Sequence, residues 1–173
     1  MPTELKGAIA LRKALRQFEP DLAKETTKEI ANFLKPVVKQ ARGYAPSNDA
    51  VPSGWLKRPN ATGRWANRSY DQAEVRRGIT YKSTPSKANR NGFRALASIL
   101  NKSAAGAIYE TAGRKSGMSG NFTPRLGGQL KGKGQKQTGR VIFRAYLEDE
   151  GKARGHVIKA IEKAAAKLNL RSK

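Results

Sequence analysis

Large apolar side chains are scarce in this chain for the charge they must hold together. Only 32 of the 173 residues are Leu, Ile, Val or Phe, while 35 Lys and Arg face 13 Asp and Glu, leaving a formal charge of +22. That combination approaches the limit at which burial no longer offsets the entropy of ordering the chain. The 24 alanines support helices but bury little area. The length favours one domain, 1–173, with a small core and with extended segments that order on assembly with other subunits.

Helical periodicity marks both ends. Leu5, Ile9, Leu15, Phe18 and Leu22 recur at roughly helical spacing, and Pro20 suits the first turn of a second helix. Ile30, Leu34, Val37, Val38 and Ala41 form the stripe of that longer helix, which Gly43 and Pro46 close. Pro36 is expected to kink it or to begin another. At the far end Val157, Ile161, Ala164, Ala165 and Leu168 form a second stripe, and Gly151 and Gly155 are placed to divide a short helix from the main one. Glu and Asp lead both helical stretches while Lys and Arg close them, each sign opposing the helix dipole.

Between these ends the period changes to two. Val75, Ile79 and Tyr81 alternate with polar residues, Ser83 to Gly92 has turn composition, and Phe93 to Leu100 is extended again, a pattern that predicts a hairpin with a long tip. Gly106 to Thr111 is expected to add a third strand and Val141 to Phe143 a fourth. The predicted architecture is α+β: a small antiparallel sheet of three to four strands (71–144) flanked by N-terminal helices (1–46) and a C-terminal helix (145–173). A long loop, 47–70, is pinned by Trp55 and Trp65, as local core plugs or as contacts with a neighbouring subunit. A projecting basic loop, 127–139, carries Lys131, Lys133 and Lys136.

The charge is concentrated in the middle: residues 51–147 hold 19 basic and 3 acidic side chains. Such a field attracts polyanions, but no nucleic-acid-binding module is legible in the sequence. Chemistry is poorly provided for. Without cysteine, thiolate zinc sites and cysteine nucleophiles are excluded, and a single histidine, His156, excludes a multi-histidine metal cage. Asp71, Glu74 and Glu110 are the only carboxylates in the basic middle, too few and too scattered for a two-metal centre. The glycine-rich stretch lacks phosphate-loop spacing. A non-enzymatic protein with no cofactor and no metal is expected, and no apolar run approaches the length of a membrane span.

Three segments carry a resemblance. DLAKETTKEIANFLKPVVKQARGYAP from Asp21 to Pro46, AAGAIYETAGRKS from Ala104 to Ser116, and GRVIFRA from Gly139 to Ala145 followed by the terminal helix occur in this order. In order and motif they resemble the neck and tail-completion (head-tail joining) proteins of long-tailed bacteriophages, a family that includes the lambdoid Z-type minor tail proteins. The segments cover about half the chain. The resemblance implies a virion protein, present in the host cytoplasm during assembly, that forms a homo-oligomeric ring, six-fold, between the portal-adaptor side and the tail tube. Completion protein, stopper and tail terminator all stay open as the particular ring. It places Tyr109, Glu110, Gly113 and Arg114 on a central strand and its exit turn as interface residues, with Gly113 supplying a positive backbone angle. It also implies that Lys131, Lys133 and Lys136 bridge to an acidic surface on a neighbouring adaptor, terminator or tube protein. Double-stranded DNA passes through such a ring, so the positive charge is expected at subunit contacts or on the outer surface. The alternative reading is a small basic nucleic-acid-binding protein.

Overall fold

The computed structural model describes residues 7–58, 62, 69–113, 122–128, 130, 139–149 and 151–171. Among them lie α1 (Ala8–Phe18), α2 (Pro20–Gly43), α3 (Gln72–Gly78), β1 (Ile79–Lys82), β2 (Ser98–Asn101), α4 (Ala104–Thr111), α5 (Phe122–Arg125), α6 (Ile142–Glu148) and α7 (Lys152–Arg171). The chain is α+β, with β1 and β2 paired antiparallel. Its residues pack as two compact units, each discontinuous in sequence: unit 1 draws on 1–36, 81–98 and 151–173, and unit 2 on 37–80 and 99–150.

Unit 1 is built on helices whose apolar stripes are narrow. Pro20 opens α2, where a missing N–H would have had no helical partner. Leu15, Leu22 and Ala164 form the core cluster, with Leu11, Ala23 and Leu168 packed against it. Polar contacts set the direction of α7 against α2: Lys163 Nζ donates to Glu29 Oε1 at 2.9 Å, and Lys167 Nζ to Glu25 Oε1 at 2.8 Å. As one number rises the other falls, so the two helices run antiparallel. His156 stacks on Phe33 with ring centroids 4.5 Å apart. No second helix begins at Pro36: α2 runs through it as one helix, and the boundary between the units falls at that residue. Gly151, at φ +76°, separates α6 from α7, as the glycine pattern predicts.

In unit 2 a second cluster joins Ala45, Val51, Tyr70, Val75 and Ala105, with Trp55 and Leu56 against it. Tyr70 is fully buried, and its hydroxyl donates to the Pro46 carbonyl at 2.7 Å. Its backbone bridges in parallel to Leu56, Tyr70 N donating to Trp55 O and Lys57 N to Tyr70 O. This pairing ties down the start of the predicted long loop.

Three stretches predicted as extended are helical, each because a cap outweighs side-chain alternation. Gln72 to Gly78 is helix because Asp71 accepts from Ala73 N at 2.8 Å and Glu74 N at 3.4 Å, leaving only Ile79 onward for the strand. Gly106 to Thr111, expected as a third strand, lies in α4. Ser103 Oγ accepts from Gly106 N at 3.0 Å, and Ala104, Ala105 and Ala107 are strong helix formers. Gly106 is required there because a Cβ would strike the side chains of Asn101 and Ser103. Val141 to Phe143, expected as a fourth strand, forms the start of α6. The sheet among the described residues therefore has two strands, not three to four, and the hairpin's extended arms shrink to four residues each.

A core this small concentrates stability in few residues. Leu15→Ala is expected to lower stability by about 2–5 kcal/mol, measured as a reduced urea midpoint. Arg77→Ala, at an exposed position of α3, should leave that midpoint nearly unchanged.

Candidate functional site

The residues that the sequence nominates from the central segment converge in unit 2. Glu110 is buried at the end of α4, and its carboxylate faces the start of α6. Glu110 Oε2 accepts from Val141 N at 2.8 Å and Ile142 N at 3.1 Å, and Oε1 accepts from Phe143 N at 2.9 Å. The first N–H groups of a helix have no partners within it, and Val141 has no side chain able to cap them. A carboxylate 31 residues upstream does so instead, at the end of the helix dipole that favours negative charge. Gly139 allows the approach: a Cβ there would lie 2.8 Å from Glu110 Cδ and 2.7 Å from Phe143 Cδ2.

Arg140 performs the converse task. It donates to Tyr109 O at 2.9 Å and Ala112 O at 2.7 Å, where α4 ends, and to Leu126 O at 3.0 Å and Gly128 O at 2.5 Å, in the turn after α5. Its guanidinium also sits 5.5 Å from the Tyr109 ring centroid. Burial pulls this guanidinium below its ordinary value. Gly113, buried, turns the chain out of α4 at φ +86°, the positive angle the sequence predicts. Tyr109 is half-buried between Arg140 and Tyr70, whose ring lies 6.2 Å away, and burial raises both phenols above their ordinary value.

Trp55 is half-buried, with its ring 5.1 Å from those of both Tyr70 and Phe122, which makes it a plug of the unit 2 core. Beside this centre, Arg144 lies 4.0 Å from the Tyr44 ring centroid and donates to Glu148 Oε1 at 2.8 Å. Hydrogen bonds from Tyr44 and then Arg144 hold the Glu148 carboxyl below the usual carboxylate range. The structure thus brings together Trp55, Tyr109, Glu110 and Gly113, and their contacts within unit 2 tie its segments to one another. Trp65, Arg114, Lys131, Lys133 and Lys136 lie outside the described residues.

Two features escape the sequence reading. One is Arg140, which falls between the predicted basic loop, 127–139, and the predicted strand, 141–143. The other is Arg12 in unit 1, only 4% exposed, with Nη1 donating to Leu96 O and Nη2 to Thr27 Oγ1, both at 3.2 Å. A signal for it exists, since Ala8, Arg12 and Leu15 follow the i, i+4, i+7 spacing of a buried face. Burial and then the neighbouring Arg16 lower its guanidinium from the ordinary value. A cleft of about 730 Å³ opens beside it, lined also by Lys13, Arg16, Thr84 and Arg94.

The described carboxylates are largely engaged in shaping the chain. Asp71 and Glu110 cap helices, Glu25 and Glu29 meet α7, Asp21 meets Lys24 at 3.3 Å, and Glu148 meets Arg144. Among the described residues no group of three or more His, Asp or Glu could hold a metal ion. No protein-family model, curated protein or solved structure matches the chain.

Two outcomes test the unit 2 centre. Arg140→Lys is expected to destabilise by about 3 kcal/mol, nearly as much as Arg140→Met, because an ammonium lacks the planar fork that reaches carbonyls on two separate segments; thermal melts compare the pair. The raised phenols give a pH dependence. A phenol that stays protonated in the folded chain while the unfolded chain ionises contributes fully below about pH 10, and that contribution is lost as the pH rises above it. Tyr70→Phe should therefore flatten the alkaline decline in melting temperature relative to wild type.

Proposed function

We propose that this chain is a non-enzymatic structural subunit of a bacteriophage neck, assembling into a ring of identical copies at the head-tail interface. The ring joins or completes the tail and couples it mechanically to the portal-adaptor side. One observation carries the reading: large apolar side chains are exposed in both units. Unit 1 presents Phe18, 70% exposed, and Leu170, 76% exposed, on α1 and α7, while unit 2 presents Phe143 and Tyr146 one turn apart on α6. A chain so poor in large apolar residues leaves five exposed among the described residues, Phe93 between β1 and β2 being the fifth, and exposed apolar side chains mark interaction surfaces. A ring built by head-to-tail contacts needs two different patches on each subunit.

Further support comes from the resemblance of 21–46, 104–116 and 139–145 to the neck family, and from carboxylates that are occupied as caps and ion pairs. On this reading the knot around Glu110 and Arg140 keeps each subunit rigid enough to transmit load. The other reading, a dispersed basic nucleic-acid-binding protein, predicts no closed self-assembly.

Size-exclusion chromatography with light scattering separates them. Wild type is expected to form a closed multiple of the subunit, six for the ring the resemblance implies. Phe18→Ser with Leu170→Ser, and Tyr146→Ser separately, should each stop growth, while an equimolar mixture of the two variants recovers a single contact and gives dimers. A wild type that stays monomeric at every concentration overturns the reading.

A further inference from the structure

Arg12 poses a physical problem that the rest of unit 1 does not solve. A guanidinium taken out of water usually faces a carboxylate, because burying an uncompensated charge is costly. Arg12 has instead a carbonyl and a hydroxyl, both neutral, and its nearest charged influence is another cation, Arg16. These bonds fix its direction without cancelling its charge. No Asp or Glu lines the cleft beside it.

The cations around that cleft are arranged, not scattered. Lys13 and Arg16 are three residues apart on α1 and so share one face, and Arg94 comes from the stretch between β1 and β2. Arg16 also lines a second cleft of about 500 Å³, where Lys24 and Lys28, four apart on α2, continue the row beside Tyr81. Lys24 is shared with Asp21; that second cleft too has no carboxylate in its lining. Gln17 and Thr84 add neutral donors to the first cleft. Five of these six cations, Lys13, Arg16, Lys24, Lys28 and Arg94, are exposed, and Arg12 alone is buried.

We infer that the paired clefts of unit 1 form a site for the phosphodiester backbone of nucleic acid, bound without regard to sequence. Charge density decides between this ligand and an acidic protein segment. Duplex DNA presents about one negative charge per 1.7 Å of axis, a density that suits six cations gathered along two helices and one connecting stretch. Neutral hydroxyl and amide donors beside Arg and Lys are the usual partners of phosphate oxygens. The first cleft has no aromatic side chain on which a base could stack and the second has only Tyr81, so cations outnumber stacking platforms six to one and contact is chiefly with the backbone. The anion offsets the Arg12 charge that the fold leaves uncompensated. The site goes beyond the neck reading and is independent of it: binding through phosphates alone sets no register and lets a duplex slide.

The test is fluorescence anisotropy of a short labelled duplex with full-length, nuclease-treated protein across a salt series. The variant Lys13→Glu/Arg16→Glu/Arg94→Glu is compared with Arg77→Glu/Lys102→Glu/Arg125→Glu, three exposed cations of unit 2 whose reversal changes net charge equally. Circular dichroism checks folding, and Arg94→Gln, outside any helix, serves if the triple variant melts early. The cleft variant is expected to bind at least about ten-fold more weakly than the control variant. Its log–log salt slope should be shallower by about 2 to 3, since each phosphate that the protein ceases to neutralise reduces the slope by about 0.9. Equal weakening of both variants overturns the site, leaving only the overall charge. Competition by polyglutamate as effective as by unlabelled duplex, charge for charge, also overturns it and assigns the clefts to an acidic protein. Light scattering on the same samples reads assembly separately, so a monomer that keeps cleft-dependent DNA binding removes the neck reading alone.

Discussion

The carboxylate of Glu110 is where unit 2 is joined. It replaces with one side chain what a longer apolar core does elsewhere: it satisfies the first N–H groups of α6 and holds that helix to the end of α4. Arg140, one residue before the capped groups, closes the other half by satisfying carbonyls from α4 and from the turn after α5. Buried polar groups are tolerated when every partner is present, and no buried side-chain N or O atom among the described residues lacks one. The Tyr109 ring meets the Arg140 guanidinium and joins it to the ring of Tyr70, which in turn packs on Trp55. A chain with few large apolar residues can thus be specific in shape, because directional bonds to backbone ends supply what area does not.

Charge follows the same division of labour. Negative groups are rare, and several have structural partners: Glu110 and Asp71 cap helices, and Glu25, Glu29 and Glu148 pair with cations, only Glu110 being buried among the described residues. Arg12 stands apart as the cation that is buried and yet uncompensated.

How much of this is legible in the sequence follows from where each signal lives. The helices at both ends can be read because their stripes are local: Pro20, Gly43 and Gly151 fall where the pattern puts them. The middle misleads because Val75, Ile108 and Val141 look like strand residues by type, while what decides their state lies elsewhere. Asp71 and Ser103 are nearby caps that compete with the alternation and win. Glu110 gives no such local signal, because its partners are 31 to 33 residues away in sequence and only the folded chain brings them together. For the candidate site, Gly113 and Trp55 are legible in the sequence, whereas Arg140 has its partners 12 to 31 residues away and Arg12 is a residue type that is mostly exposed.

The ion pairs between α2 and α7 have a consequence of their own. Glu25 and Glu29 are one turn apart, as are Lys163 and Lys167, and Lys163 already lies 4.0 Å from Glu25 as well as 2.9 Å from Glu29. If α7 slid by one turn, about 5.4 Å, Lys163 would meet Glu25 and Lys167 would meet Asp21, again with opposite signs. The ladder is therefore degenerate: it fixes polarity and cannot fix position. Position is left to the Phe33–His156 stack and to Leu15, Leu22 and Ala164, so the alignment of the terminal helix rests on a few ring and apolar contacts while its ion pairs would accept either setting.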